Sequence, residues 1–232
     1  LNIKETFVKG KCIYNGKDIH FPAKDVVPIN KFHAQPITMK ELEVKAISDK
    51  MRVIVCTDGN LDTSEEIVSP AVKEGMAISD TSTDIIKIVV VNRYQKAPLS
   101  IGFIKGTGLK RGAVAQSITH DSHNIIAIGC TDEELAKAIN EVILQQGGIT
   151  VVNGTETTTL SLPIAGLLSP LPLDEIDATY KILESKMQDL GSTLSSLQMT
   201  LAFMSLLVIP SLKLGDKGLF NGDKFSFTTL FV

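Results

Sequence analysis

The chain has 232 residues, of which 44% are hydrophobic and 21% are charged, and its formal net charge is −3. These proportions are those of an ordinary globular protein, and the length suits one large domain or one medium domain with an appendage. Because the charge is slightly negative and Lys and Arg are scattered, the sequence offers no basic surface for nucleic acid or for an anionic membrane. We therefore expect neither partner.

The cysteines and the longest apolar run exclude further classes of protein. Cys12, Cys56 and Cys130 are far apart and form no CxxC pair, so they predict neither a disulfide framework nor a zinc site. The apolar run at 201–209 is far shorter than the roughly 20 residues that a membrane-spanning helix needs. We therefore expect a cytoplasmic location.

The first elements predict a small unit ahead of a larger domain. Asn15-Gly16, flanked by β-type sequence over 6–21, predicts a β-hairpin with a type I′ turn. Residues 22–36 contain three prolines and lack periodicity, which is typical of a connector. The sequence thus predicts a hairpin and connector at 1–35 and a main domain at 36–232.

The main domain begins with strand signals. Thr38 and Glu41 have the spacing of a capping box, which predicts a short helical turn at 38–42. The β-branched runs at 52–57 and 85–92 predict strands, and a third strand is expected near Ile67.

Two short apolar runs in the middle of the chain predict a pair of buried strands. They cover 113–118 and 125–128 and are bounded by glycines. The polar residues between them therefore form the loop that joins the two strands.

The next predicted elements are an amphipathic helix and a second hairpin. Thr131 and Glu134 form another capping pair at the start of a helix predicted at 132–146, and Gly147 ends it. Asn153-Gly154 predicts the turn of a hairpin over 149–162.

The second helix is predicted at 174–190, where apolar residues recur every three or four positions. The last forty residues predict a short helix, a buried segment and an edge hairpin. Together the elements predict an α+β fold with mixed, largely antiparallel sheets and two or three packed helices, preceded by a short β-hairpin.

The loop between the two buried strands concentrates side chains capable of chemistry: His120, Asp121, Ser122, His123 and Asn124. Two imidazoles beside a carboxylate can relay protons near neutral pH, hydrogen-bond a heteroaromatic ligand or bind a divalent metal. The same residues can also form a simple Asx-type turn with solvated histidines. Residue chemistry alone leaves these alternatives open.

Two other mechanisms are disfavoured. A nucleophilic Ser122 needs a base and an orienting carboxylate brought from elsewhere in the fold. The glycine-rich segment at 106–112 lacks the spacing of known phosphate-binding loops, so a bend between strands accounts for it better.

A family resemblance adds to this picture. The run GFIKGTGLKRGAVAQSITHDSHNIIAIGC, the helix TDEELAKAINEVILQQGG and the segment LSLPIAGLLS resemble the C-terminal domain of bacterial and archaeal adenine deaminases. The ending VIPSLKLGDKGLFNGDKFSF is similar as well, so the resemblance extends from about residue 40 onward. The opening TFVKGKCIYNGK is similar to the segment by which amidohydrolases return from their barrel to a small β-sandwich.

The resemblance implies a parent enzyme that hydrolyses adenine to hypoxanthine and ammonia in purine salvage, with a divalent metal (Mn, Fe or Zn) held in an amidohydrolase barrel. The family's barrel begins with a His-x-His pair, and the histidines here, His20, His33, His120 and His123, form no such pair. We therefore expect this chain to lack the metal site, to be inactive alone and to require the missing barrel. A homo-oligomer is also expected.

The resemblance further implies roles for the loop. His120, Asp121 and His123 become candidate catalytic residues at the mouth of the barrel, while Ser122 and Asn124 are candidates for substrate binding by shaping the loop. Two alternatives remain: a non-enzymatic module for small-molecule binding or assembly, and an independent hydrolase built on the loop itself.

Overall fold

The computed structural model describes residues 2–21 and 27–232, which form fifteen β-strands, three α-helices and one 3₁₀ turn. The strands are β1 Thr6–Val8, β2 Lys11–Tyr14, β3 Met51–Val55, β4 Ser64–Val68, β5 Val72–Lys73, β6 Met76–Ala77, β7 Ile85–Val91, β8 Ser100–Lys105, β9 Ala113–Gln116, β10 Ile125–Gly129, β11 Gly148–Asn153, β12 Glu156–Ser161, β13 Leu212–Gly215, β14 Gly218–Asn221 and β15 Ser226–Phe227. The helices are α1 Asp132–Leu144, α2 Leu173–Asp189 and α3 Leu197–Phe203, and the 3₁₀ turn is Met39–Leu42.

An eight-stranded sheet organises the domain. Its strand order is β12-β11-β9-β10-β7-β8-β3-β4. Every neighbouring pair is antiparallel except β3 and β8, which run parallel. The predicted α+β class with mixed, largely antiparallel sheets is therefore confirmed.

The central strands are buried because both faces of the sheet are covered. Every residue of β7 and β10 is buried. Strand β10 is entirely apolar, and β7 is apolar except for Lys87, which forms an ion pair with Asp132. Residues of α1 and the 3₁₀ turn join one core cluster, while residues of α2, α3 and β13 join another. Strand side chains alternate between these two clusters, so the sheet forms the middle of the domain.

Helix α1 follows its sequence signals closely. The Thr131 hydroxyl accepts a hydrogen bond from the Glu134 N–H at 3.2 Å, which caps the helix. The buried side chains of α1 form one stripe: Leu135, Ala136, Ala138, Ile139, Val142 and Ile143. This stripe packs on β9, β10 and β11, as the amphipathic pattern predicts.

Helix α2 packs against β11 and β12. Leu183 and Met187 are buried within it, whereas Ile176 and Tyr180 nearer its start are only partly buried. Gly191, with φ +102°, follows its end. The helix covers its strands mainly with its second half.

The N-terminal segment contains the predicted reversal at Asn15-Gly16, where Tyr14 pairs with Ile19, and an earlier reversal that was not predicted. β1 and β2 connect through Lys9 and Gly10, whose φ values of 49° and 76° fit the type I′ turn. Asn15-Gly16 forms a second reversal after β2, because the Asn15 side-chain oxygen accepts hydrogen bonds from the N–H groups two and three residues on.

The remaining predictions concern the connector and the C-terminal elements. The first part of the connector, residues 22–26, lies outside the described residues. Strand β8, next to β7, was not predicted. The predicted C-terminal hairpin is confirmed as β13 and β14, and β15 extends it to a three-stranded sheet.

Among residues 2–21 and 27–232, no helix has the length and apolar character required to span a membrane.

Candidate functional site

The candidate site is the loop at 117–124, which joins β9 to β10 inside the eight-stranded sheet. Both strands are buried and each has a neighbour on its other side, β11 for β9 and β7 for β10. The ends of the loop are therefore fixed by the core of the domain.

The structure brings all five sequence-predicted residues into one turn but gives them different surroundings. Asp121 and Ser122 are exposed, and His120 and His123 are partly buried. Asn124 is only 2% exposed. The loop thus presents an exposed carboxylate flanked by two imidazoles, with a buried amide at its base.

His120 is held by α3. Its backbone N–H donates to the carbonyl of Ala202 at 2.8 Å, and its ring stacks on Phe203 with 4.7 Å between the centroids. The rings of His120 and His123 lie 6.0 Å apart. The two imidazoles can therefore contact the same small molecule.

His123 is in an environment that opposes protonation. Burial is the main cause that lowers its pKa, and the charge of Arg93 and the proximity of His120 lower it further, while Asp121 acts in the opposite direction. Its Nδ1 atom is buried and has no hydrogen-bond partner within the described part of the chain. A neutral imidazole at this position can accept a proton or a hydrogen bond.

Sequence analysis missed two residues that anchor the loop, Arg93 and Tyr94. The backbone N–H of Arg93 donates to the Asn124 side-chain oxygen at 3.2 Å, and the Asn124 amide donates to the Ser122 hydroxyl at 3.0 Å. The Tyr94 hydroxyl donates to the Ser122 carbonyl at 2.7 Å. The only signal in the sequence is an Arg-Tyr pair directly after a buried strand, which no motif distinguishes.

Buried polar side chains hold the start of the loop. The Gln116 amide donates to the carbonyls of Ile118 and Gln198 at 2.7 and 2.8 Å. The Ser117 hydroxyl donates to the Gly166 carbonyl at 2.6 Å. The loop is therefore fixed at its start as well as at Asn124.

The other two histidines lie in the N-terminal part of the chain. His20 follows β2, where its ring contacts the Asn15 amide at 3.3 Å, and His33 is exposed in the connector. Among the described residues, no group of three His, Cys, Asp or Glu side chains is arranged to hold a metal ion. The side chains of the loop can form hydrogen bonds and transfer protons.

The fold and the site together define an α+β domain that presents a polar, partly buried loop from the interior of its sheet. A family model described as the adenine deaminase C-terminal domain matches residues 60–226. The chain belongs to this family.

Curated relatives support the same assignment. A protein named adenine deaminase from Parabacteroides distasonis is 53% identical over 232 residues. Proteins of the same name from Methanosarcina mazei and Salinibacter ruber are 44% and 42% identical over 243 and 237 residues. All of this chain aligns in each case, yet it spans only 43%, 44% and 43% of those relatives, respectively. It corresponds to a portion of each of them.

Proposed function

We propose that this chain is part of an enzyme that hydrolyses adenine to hypoxanthine and ammonia, and that the loop at 117–124 borders the bound purine. The observation that carries the second part is the exposed Asp121 carboxylate held beside the poorly basic His123 in one fixed turn. Sites that transfer protons combine groups of this kind.

The chemistry of adenine suggests roles for each side chain. The Asp121 carboxylate can accept a hydrogen bond from an N–H of the purine, and the neutral imidazole of His123 can accept a proton near neutral pH. The imidazole of His120, which stacks on Phe203, is the second candidate. Ser122 and Asn124 bond to each other and maintain the turn.

In this proposal the metal ion is bound outside this chain. Hydrolytic deamination is commonly assisted by a metal ion that lowers the pKa of a bound water. Since the described residues offer no set of metal ligands, we assign a divalent metal to the part of the parent protein outside this chain. The product hypoxanthine would connect the enzyme to purine salvage, and the free cysteines fit a cytoplasmic location.

We also propose that residues 1–35 and 36–232 are distinct units. The hairpin of β1 and β2 forms its own two-stranded sheet, and Phe7 and Ile19 are 59% and 76% exposed. Such apolar exposure is typical of a surface that another part of the protein covers. We expect that part to include the catalytic barrel.

The test uses the full-length parent protein with adenine as substrate. We expect Asp121→Asn and His123→Gln to lower kcat/KM by at least about tenfold, because proton transfer by a placed side chain contributes about 10² to 10⁴ in rate. The matched control is Asp223→Asn, which neutralises an exposed carboxylate in the turn between β14 and β15.

Steady-state ammonia release is the measurement, and the present chain by itself serves as the negative control. Unchanged kinetics in both loop variants would reduce the loop to a structural turn and refute its proposed role.

A further inference from the structure

Three separate segments of the chain meet at Arg93, which follows β7 after Asn92. Its carbonyl accepts hydrogen bonds from the N–H groups of His33 and Ala34 at 2.6 and 3.1 Å. Its guanidinium donates to the Ala165 carbonyl at 2.7 Å, and its backbone N–H donates to the Asn124 side-chain oxygen at 3.2 Å. Arg93 thus joins the connector, the turn around Ala165 and the candidate loop.

The burial of this arginine is unusual for a charged side chain. Arg93 is only 4% exposed, and within residues 2–21 and 27–232 no carboxylate lies at salt-bridge distance from it. The ring centroids of Phe32 and Tyr94 lie 5.7 and 4.8 Å from its central carbon. Burying a cation costs free energy that such contacts only partly offset. The guanidinium is held instead by hydrogen bonds to the Ala165 carbonyl and the Tyr94 hydroxyl and by its contacts with the two aromatic rings.

Tyr94 extends the contact from Arg93 to the outer part of the loop. The guanidinium donates to the Tyr94 oxygen at 2.9 Å, and the Tyr94 hydroxyl in turn donates to the Ser122 carbonyl at 2.7 Å. The residue after Asp121 is therefore bonded to Tyr94, and the residue after His123 is bonded to Arg93. Together the two anchors bracket the candidate catalytic side chains.

We propose that Arg93 and Tyr94 are positioning residues that fix the loop at 117–124 relative to the connector at 29–34. This inference rests on the proposed function of the loop. In this proposal Arg93 links the connector to the loop, so the position of the connector determines where Asp121 and His123 lie.

The test compares Tyr94→Phe and Arg93→Lys in the full-length protein. Tyr94→Phe removes only the hydroxyl, and Arg93→Lys keeps the charge but loses the planar fork that reaches both Ala165 and Tyr94. Matched controls are Thr63→Val, which deletes a buried hydroxyl bonded to the Leu212 carbonyl at 2.7 Å, and Arg52→Lys, which alters an arginine on β3.

Two readouts are needed. Hydrogen exchange measures protection of residues 119–124, and steady-state kinetics separate kcat from KM. We expect both anchor variants to speed exchange in the loop about tenfold, as the loss of one hydrogen bond allows. We also expect kcat to fall by about tenfold with a smaller change in KM, because misplaced groups weaken the transition state first. The controls should change neither readout.

The outcomes distinguish this inference from the proposed function. If Asp121→Asn impairs the reaction while Tyr94→Phe and Arg93→Lys do not, the loop acts on adenine and the inference is wrong. Loop exchange that stays at the control rate also overturns it. If the anchor variants loosen the loop but no variant, including Asp121→Asn, affects kinetics, the proposed function and the catalytic part of the inference both fail.

Discussion

His120 and His123 lie three residues apart yet have different environments. His120 stacks on Phe203, whereas His123 is close to the Arg93 cation. Because the folded state lowers the pKa of His123 below its ordinary value of 6.5, the unfolded state binds more protons as the pH falls toward that value and below. His123 therefore costs stability in mildly acidic solution.

Lys213 and Lys87 are both buried lysines, but their ammonium groups have different partners. Lys213 is 0% exposed and donates to the Leu61 carbonyl at 2.7 Å. Burial lowers its pKa to about 8, although Asp62 acts against the shift. Lys87 is 1% exposed but forms an ion pair with Asp132 at 2.6 Å.

We expect Lys213→Met to stabilise the protein at pH 7. The folded-state pKa of about 8 lies below the ordinary lysine value of 10.5, so charging this buried lysine costs on the order of 3 kcal/mol below pH 8. The wild-type protein recovers that free energy as the pH rises from about 8 to 10.5. The advantage of Lys213→Met should therefore shrink over this window.

Urea unfolding at pH 7 and pH 9.5 provides the measurement for Lys213→Met. The comparison variant is Lys87→Met, which should not stabilise the protein, because it leaves Asp132 without its partner. An equal gain at both pH values, or a loss at pH 7, would contradict the explanation by burial.

At the level of elements, the turn around Gly166 holds Arg93 in place. Ile164 and Leu168 pair across this turn, and Gly166 has φ +70°. A Cβ atom at Gly166 would lie 1.9 Å from the guanidinium of Arg93. Gly59 has φ +69°, but a Cβ there would meet nothing within 4 Å. The two glycines therefore share a backbone conformation and differ in their neighbours.

We expect Gly166→Ala and Gly59→Ala to cost similar backbone strain, about 1 kcal/mol each. Only Gly166→Ala should displace Arg93 and thereby loosen the loop at 117–124. Thermal unfolding and hydrogen exchange measured together would separate these effects. If hydrogen exchange in the loop stays unchanged in both variants, displacing Arg93 does not loosen the loop and the prediction is wrong.

The sequence predicted elements whose cause is local. The apolar runs of β7 and β10 and the capping pair at Thr131 and Glu134 are contained in short windows, and these elements form as expected. The same holds for the grouping of the five loop residues, which are consecutive. The chain also reverses at Asn15-Gly16 as expected, whereas the turn at Lys9-Gly10, which joins β1 and β2, was not predicted.

Features that depend on distant contacts were not predictable. Strand β8 packs against β13 and β14, a hairpin more than a hundred residues later in the sequence. The bond between Arg93 and Asn124 joins residues 31 positions apart. No local pattern identifies either contact.

At the scale of the whole molecule, apolar exposure is concentrated in the segment that precedes the main domain. Phe7, Ile19, Val27 and Ile29 are 59%, 76%, 82% and 80% exposed. In the longer relatives additional protein is available to cover such a surface, since this chain spans about 43% of their length. The isolated chain lacks that cover.

We expect the isolated chain to self-associate through this surface, since buried apolar area drives association. The double substitution Phe7→Ser with Ile19→Ser should weaken association, whereas Val72→Ser, on the small sheet of β5 and β6, should not. Sedimentation velocity over a range of concentrations is the measurement. A single monomeric species at every concentration would contradict the prediction.

The outer strand β4 bears on the form such association takes. Its Glu65 and Glu66 pair with Arg52 and Lys105 at 3.2 and 2.8 Å. A strand from another molecule could add to this edge only by desolvating both charged pairs, and charged side chains on an edge oppose that addition. Assemblies of the chain should therefore be soluble and reversible on dilution, and they should not grow into fibrils with continuous backbone pairing.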